Sequence, residues 1–226
     1  MAAATSLATE AAVYSDGREG RLGPSAGSSR DVSASVRPKD FLFLRHVIGI
    51  LERHDIHRIA ILTDYRLDEV KRYLGSGAAF RVSLRYPEDA GDLRGSLNAV
   101  ARAIKTGAIS KCEELLVCEG DVPAGVDITA LLSRHRKSGA EATVVLLNGF
   151  TLPVGTAEVR RGGLVASVCE KPQLGFAVAT GYVVLGPAAM SLASRIGGRQ
   201  KSDITAHLLP ALLHEHLKVA AHYPNM

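Results

Sequence analysis

The chain has 226 residues, of which 46% are hydrophobic and 22% charged, and its formal net charge is +4 at pH 7. These proportions are ordinary for a soluble globular protein with one substantial hydrophobic core. The absence of Trp and of any Lys/Arg block excludes an aromatic platform or a basic tail for nucleic acid, and no apolar run reaches the roughly 20 residues of a membrane span.

The cysteine pattern and the N-terminus bear on the cellular compartment. Cys112, Cys118 and Cys169 form an odd set without Cys-x-x-Cys spacing, which favours reduced, buried thiols. The N-terminus has no basic stretch before an apolar run, unlike a secretion signal. We therefore expect a cytoplasmic protein with a flexible N-terminus over residues 1–9 and one domain over 10–226.

Strand and helix patterns alternate along the first half of the chain. Short apolar runs predict strands, and apolar residues at helical spacing predict helices. A Gly/Arg/Ser-rich stretch over 16–35 is predicted to be a loop. The predicted elements are, in order, a strand over 10–15, a helix over 40–54, a strand over 57–63, a helix over 68–74, a strand over 80–86, a helix over 93–105 and a strand over 114–118.

Shorter strands characterise the second half, where Gly162-Gly163 is typical of a hairpin turn. The alternation predicts an α/β fold with a mainly parallel sheet covered by helices on both faces. The remaining predicted elements are a helix over 127–137, strands over 142–147, 155–160, 164–170 and 179–185, a helix over 203–216 and a strand over 218–223.

The loops that follow the predicted strands are the expected place for chemistry, since ligands lie beyond the carboxyl ends of parallel strands. The loop after the first strand contains Gly17 and Gly20, whose amides can approach phosphate, and Arg21 and Lys39 would supply positive charge. A flexible glycine- and serine-rich loop that happens to contain arginines is the alternative interpretation.

Two further short motifs follow strands. Asp121, after Gly120, can reach a Mg²⁺ that bridges phosphates, or it can cap a turn. In Glu170-Lys171-Pro172 the proline fixes the turn, so the carboxylate can accept from sugar hydroxyls and the ammonium can meet a phosphate. An exposed Glu-Lys pair on the surface is the alternative for this motif.

The order of these motifs resembles the sugar-1-phosphate nucleotidyltransferase family from near residue 10 to the end. The segment VGTAEVRRGGLVASVCEKP, residues 154–172, is similar to the family's Tyr-Gly-Val-Val-Glu strand, hairpin and Glu-Lys-Pro. Residues 115–132 resemble its strand, Gly-Asp and following helix. The resemblance implies a Rossmann-like three-layer sandwich with a mixed sheet, an NTP and a sugar 1-phosphate as substrates, and Mg²⁺ as cofactor.

The resemblance also implies roles for single residues. Arg21 and Lys39 would face the triphosphate, Asp121 would bind Mg²⁺, and Lys171 would contact the sugar phosphate. The implied substrate-binding residues are Gly17, Gly20 and Gly120 on the nucleotide side, Gly95 by the base, and Gly155, Glu170 and Gly181 on the sugar side.

Departures from the family pattern are concentrated on the nucleotide side. Asp16 and Glu19 place two carboxylates in the glycine loop, where they should repel a triphosphate by several kcal/mol unless metal or Arg18 compensates. The Gly-Thr-Ala-Gly segment keeps only its last glycine, Gly95. The sequence ends before the family's Trp-x-Asp-x-Gly motif, so we expect a single metal-binding aspartate and no C-terminal extension. Asp203, at a predicted helix start, is expected to be an N-cap.

Three functional hypotheses remain open from the sequence. The first is an active enzyme that makes a nucleotide sugar, acting alone or as a homo-oligomer. The second is a catalytically silent regulatory subunit that binds a nucleotide sugar and partners with an active relative. The third is cytidylyl transfer or a similar reaction on another phosphorylated small molecule. None of the three involves nucleic acid or a membrane.

Overall fold

Helices and strands alternate along the chain in the computed structural model. It describes residues 9–15, 38–63, 67–87, 95–110, 112–119, 125–149, 151–198 and 201–224, with the backbone alone for 38–43 and Glu119. The strands are Thr9–Ser15 (β1), Arg58–Thr63 (β2), Ser83–Arg85 (β3), Glu114–Glu119 (β4), Ala142–Leu147 (β5), Thr156–Val159 (β6), Val165–Cys169 (β7), Val178–Leu185 (β8) and Val219–His222 (β9). The α-helices are Pro38–Arg53 (α1), Leu67–Leu74 (α2), Ser96–Lys105 (α3), Ile128–Ser138 (α4), Pro187–Ile196 (α5) and Leu209–His214 (α6).

Seven strands form one mixed sheet in the order β3-β2-β1-β4-β8-β5-β9. β8 runs antiparallel to both of its neighbours, and the other six strands run in one direction. These six strands therefore end at a common edge, which we call the carboxyl edge. The predicted α/β fold with a mainly parallel sheet is confirmed.

Both faces of the sheet are covered by helices, because alternate residues of each strand are apolar on both sides. In β1, Ala12 and Tyr14 pack with α3, α5 and α6, whereas Ala11 and Val13 pack with α1, α2 and α4. The two clusters of buried side chains lie on opposite faces of the strands. The chain is thus a three-layer sandwich, as the resemblance implied.

One helix of the structure was missed by the prediction, and two predicted elements differ from the structure. Helix α5 was not predicted, although Pro187 after Gly186 marks a helix start. The predicted strand over 80–86 shortens to β3, since Phe80 belongs to a 3₁₀ turn that Arg81 ends at φ 58°. The predicted helix over 203–216 is a π-helical turn, Ile204–Leu208, followed by α6, which has a proline in its first turn.

Strands β6 and β7 form a separate two-stranded hairpin around the predicted glycine turn. On one face Val159 lies opposite Val165, and they are 64% and 60% exposed, while Val168 on the same face is 73% exposed. Cys169, at the end of β7, is also exposed. The expectation of a buried thiol is therefore wrong for Cys169, because this hairpin does not pack on the main sheet.

An ion pair at the opposite edge of the sheet joins the start of β4 to α4. The Glu114 carboxylate is buried, and Arg136 donates to both of its oxygens, from Nε at 2.8 Å and from Nη2 at 2.7 Å. The Thr9 hydroxyl, at the start of β1, donates to the same carboxylate at 3.0 Å. The pair therefore holds the amino-terminal ends of the two central strands to the last turn of α4.

Candidate active site at the carboxyl edge

The two central strands, β1 and β4, end side by side at the carboxyl edge. The chain runs outward from β1 to β2 and β3, then returns to pair β4 with the other side of β1. Such a switch point in strand order leaves a crevice at the carboxyl ends of the two central strands. Tyr14 of β1 is paired with Glu119 of β4, so the carboxyl ends of these two strands are neighbours.

The sheet opens between β4 and β8 near this crevice. Pairing of β4 with β8 stops at Val117 and Val183, although β4 continues to Glu119. On the other side of β8 the pairs pass from Val144↔Val183 to Leu146↔Ala179, so one residue of β5 faces three of β8. Gly181 lies in this bulge at φ +84°, a conformation that favours glycine. The predicted substrate residue Gly181 thus belongs to the bulge beside the opening.

Residues 148–177 leave the sheet at the end of β5 and return at the start of β8, both at the carboxyl edge. Within this excursion a Cβ atom at Gly155 would lie 2.9 Å from Glu170 Oε2. The structure therefore brings together two residues that the sequence assigned to the sugar. Glu170 is exposed and its carboxylate lies against bare backbone, where a hydroxyl donor can approach.

The turn at Lys171 is held by Thr151 and Leu152, near the start of the excursion. Lys171 adopts a left-handed backbone conformation with φ 48°. Leu152 N–H donates to Pro172 C=O at 3.0 Å, and Thr151 pairs with Gln173 across the same turn. A left-handed conformation costs a residue with a Cβ atom roughly 1–2 kcal/mol, so these contacts are needed to maintain it. They leave the Lys171 side chain exposed.

Helix α3 begins at the carboxyl edge, because β3 before it runs toward that edge. The predicted residue Gly95 is the N-cap of this helix. Gly95 has φ +106°, and a Cβ atom there would lie 2.3 Å from Ser202 C=O. Asp203 occupies the N-cap position of the π-helical turn, as expected, but its side chain makes no cap hydrogen bond there. Its Oδ1 instead accepts from Ser96 N–H at 3.2 Å, in the first turn of α3. Sequence reasoning missed Ser96, since no local pattern links it to Asp203.

His222, the last residue of β9, also lies at the carboxyl edge. Burial lowers the pKa of its imidazole, Arg134 lowers it further, and Asp127 opposes them. Its Nε2 is buried without a hydrogen-bond partner in the described part of the chain. Burial and Arg134 thus favour the neutral form of this imidazole.

The side chains of the remaining predicted residues lie outside the part of the chain that the structure describes. Lys39 lies in the first turn of α1, where the backbone alone is described. Gly17, Gly20, Arg21, Gly120 and Asp121 lie outside the described residues. Within the described ranges no group of three or more His, Cys, Asp or Glu side chains could hold a metal ion. The same ranges contain no helix of the length and apolarity that a membrane crossing requires.

Comparison with known proteins gives a family match and related folds. A family model described as nucleotidyl transferase matches residues 30–223, so the match begins after Gly17 and Gly20, within the loop predicted over 16–35. A UTP–glucose-1-phosphate uridylyltransferase of Synechocystis is 23% identical over 186 residues, 75% of this chain and 47% of that protein. The chain thus spans about half the length of this curated relative.

Solved structures resemble the chain over nearly its whole length. A Bacillus anthracis protein described as a glucose-1-phosphate thymidylyltransferase, in complex with a sucrose, has a TM-score of 0.67 at 20% identity, covering 96% of this chain and 87% of that one. HddC from Yersinia pseudotuberculosis has a TM-score of 0.64 at 15% identity, covering 96% and 90%. At these identities the likeness concerns the fold.

Proposed function

Because the chain belongs to the nucleotidyl transferase family, we propose that it transfers a nucleoside monophosphate from an NTP to a sugar 1-phosphate. The products are a nucleotide sugar and pyrophosphate. The observation that carries this proposal is the contact between Gly155 and Glu170 at the carboxyl edge, next to the turn of Lys171. A carboxylate lies against bare backbone there, and the next residue in the sequence is an exposed lysine, which suits a phosphorylated sugar.

The reaction joins a phosphate oxygen of the sugar 1-phosphate to the α-phosphorus of the NTP, and the bond from that phosphorus to pyrophosphate breaks. It depends on in-line positioning and charge neutralisation more than on an acid or base. In the proposal Glu170 accepts hydrogen bonds from sugar hydroxyls, and Lys171 binds the sugar phosphate. Arg21 and Lys39 bind the triphosphate and stabilise the charge of the leaving pyrophosphate.

Magnesium is part of the proposal through Asp121. This residue follows β4 in the sequence, and Mg²⁺ in phosphate-transfer sites takes one or two carboxylates together with substrate oxygens and water. A single aspartate after β4 therefore fits this donor set. When bound, the ion would neutralise charge on the phosphates.

The experiment is a screen for pyrophosphate release. The purified protein is incubated with each of five NTPs and a panel of sugar 1-phosphates, with Mg²⁺ present. We expect release with one pair, and loss of release with Asp121→Ala. Lys171→Ala should raise the KM for the sugar phosphate, whereas Lys137→Ala, on α4 away from the site, should behave as the unaltered protein. A full panel with no release above Asp121→Ala would contradict enzymatic function.

A silent regulatory subunit is the second candidate, and the glycine loop favours it. Asp16 and Glu19 add negative charge where a triphosphate would bind. The family match begins at residue 30, after both of these carboxylates. Such a subunit would bind a nucleotide sugar without turnover. Calorimetry with UDP-, dTDP-, GDP- and CDP-sugars distinguishes the two: binding without pyrophosphate release supports the subunit, and absence of binding removes it.

A further inference from the structure

We propose that Asp203 is a positioning residue for the nucleotide side of the site. Its carboxylate caps helix α3 rather than its own helix, and this contact fixes the turn at Gly95. The proposal rests on the proposed function and on the role by the base of the NTP that the family resemblance implies for Gly95.

The contact between the two helix starts is reciprocal. Ser96 N–H donates to Asp203 Oδ1 at 3.2 Å, and Ile204 N–H donates to Ser96 Oγ at 3.0 Å. Each segment thus supplies the acceptor for an amide in the first turn of the other. A capping box does the same within one helix, whereas here the residues are 107 and 108 positions apart.

The next amides of α3 are also occupied. Leu97 N–H donates to Ser202 C=O at 3.0 Å, and Asn98 N–H approaches the same oxygen at 3.4 Å. The Asn98 side chain accepts from Gly198 N–H at 2.7 Å. Ser96, Asn98 and Ser202 are buried, so these hydrogen bonds are shielded from water and their loss would leave polar groups unsatisfied.

Gly95 transmits this order to the site. Its φ of +106° suits glycine, and a Cβ atom there would lie 2.3 Å from Ser202 C=O and 2.9 Å from Asp203 Oδ1. The backbone of Gly95 is therefore in direct contact with the segment that carries Asp203. A shift of that segment must move the turn at the start of α3.

The cap also has an electrostatic consequence for the ligand. A helix start with free amides attracts phosphate, but the first amides of α3 are already bonded and a carboxylate lies among them. An anion is disfavoured at this position, whereas an uncharged base is not. The α3 side of the crevice is thus suited to the base, and the triphosphate must lie away from it.

A matched control exists at the opposite edge of the sheet. Glu141 Oε2 accepts from Ala188 N–H at 2.9 Å in the first turn of α5, and a Cβ atom at Gly186 would lie 2.8 Å from the same oxygen. This is a second carboxylate that caps a distant helix beside a glycine. Because β8 runs antiparallel to the other strands, α5 begins at the edge remote from the site.

The experiment compares substitutions at these two caps. The Kd of each of five NTPs, with Mg²⁺, and of glucose 1-phosphate is measured by calorimetry, together with the melting temperature. Asp203→Ala should weaken binding of the best NTP by roughly 5- to 30-fold, which converts to about 1–2 kcal/mol, the upper part of the range for loss of one cap. Asp203→Asn keeps an oxygen acceptor and should stay within about 3-fold.

Three further results are expected. Glu141→Ala should lower the melting temperature about as much as Asp203→Ala but leave NTP binding unchanged. Sugar phosphate binding should be the same in all variants. Ser96→Ala, which removes the acceptor of Ile204 N–H, should weaken NTP binding in the same direction, and this variant serves if Asp203→Ala does not fold.

The outcomes separate the possible roles of Asp203. Equal loss of NTP binding in Asp203→Asn and Asp203→Ala would overturn the proposal, because it would indicate that the charge itself contacts metal or ligand. NTP binding in Asp203→Ala that equals that of Glu141→Ala would overturn it as well. If the unaltered protein binds no NTP, the proposed function and this proposal fail together, whereas intact binding in Asp203→Ala removes this proposal alone.

Discussion

Removal of the Arg136 side chain tests whether the ion pair at the amino-terminal edge holds the central strands in place. Arg136→Ala leaves Glu114 buried with the Thr9 hydroxyl as its remaining described donor. Loss of one partner of a buried pair costs about 3–5 kcal/mol. Because the Arg136 side chain is 42% exposed, water can enter its place, and we expect the lower end of that range.

A loss of about 3 kcal/mol corresponds to a fall of roughly 6–12 °C in melting temperature for a domain of this size. Urea unfolding followed by far-UV circular dichroism measures it, since the chain has no Trp for fluorescence. Arg136→Lys keeps the charge but not the two-point contact, and it should lose less. Glu114→Leu combined with Arg136→Met should recover most of the stability, because no charge is left buried.

The result that would refute this reasoning is a loss below about 1 kcal/mol in Arg136→Ala, which is the level of a surface pair. If the stability losses of Glu114→Leu and Arg136→Met measured singly add up in the double variant, the reasoning is refuted as well. The kinetic constants of a folded variant should be unchanged. Glu114 starts β4, so it lies roughly 17 Å from the carboxyl edge at the usual rise per strand residue.

Burial lowers the pKa of His135 and of His222, so the unfolded chain binds more protons in acid. Stability should therefore be constant above about pH 6.5, the pKa of an unfolded histidine, and should fall as the pH drops through the lower pKa values of the folded protein. Urea unfolding at pH 5 and 7.5 measures this fall. His135→Gln should reduce the difference in stability between the two pH values. Gly155→Ala places a methyl group 2.9 Å from Glu170 Oε2. We therefore expect a roughly 10-fold or larger increase in KM for the sugar phosphate with a normal melting temperature. An unchanged KM would show that the sugar phosphate does not use this contact. Lys171→Gly removes the ammonium, but glycine suits the φ of 48° at this position. Calorimetry should therefore show binding of glucose 1-phosphate weakened by about 10- to 100-fold, with no loss of stability. Binding equal to that of the unaltered chain would exclude Lys171 from the phosphate site.

Much of the fold could be predicted from the sequence, because the apolar periodicity of β2, β4 and β5 is strong. Helix α5 escaped prediction although its alanines favour a helix, and the start signal lay in Gly186-Pro187. The exposure of β7 could not be predicted either. Its valines are typical of a strand with a buried face, and only tertiary structure shows that nothing in the described chain packs on them.

The site is predictable only in part. Gly155 and Glu170 flank one hairpin, so the motif pattern was enough to associate them. Asp203 and Ser96 are separated by 107 positions, and a contact at that distance leaves no local signature. The sequence therefore correctly placed Asp203 at a helix start but could not show that the carboxylate serves another helix.

The single reversed strand of the sheet has a consequence for how this scaffold can diversify. Since β5 arrives at the carboxyl edge and β8 departs from it, residues 148–177 form a detour whose two ends are anchored in adjacent strands. Lengthening such a detour costs little chain entropy, as the closure penalty grows only with the logarithm of its length. Insertions or exchanges there can leave the helices and central strands unaltered, so under the proposed function this detour is where a new pocket for the sugar phosphate could be introduced.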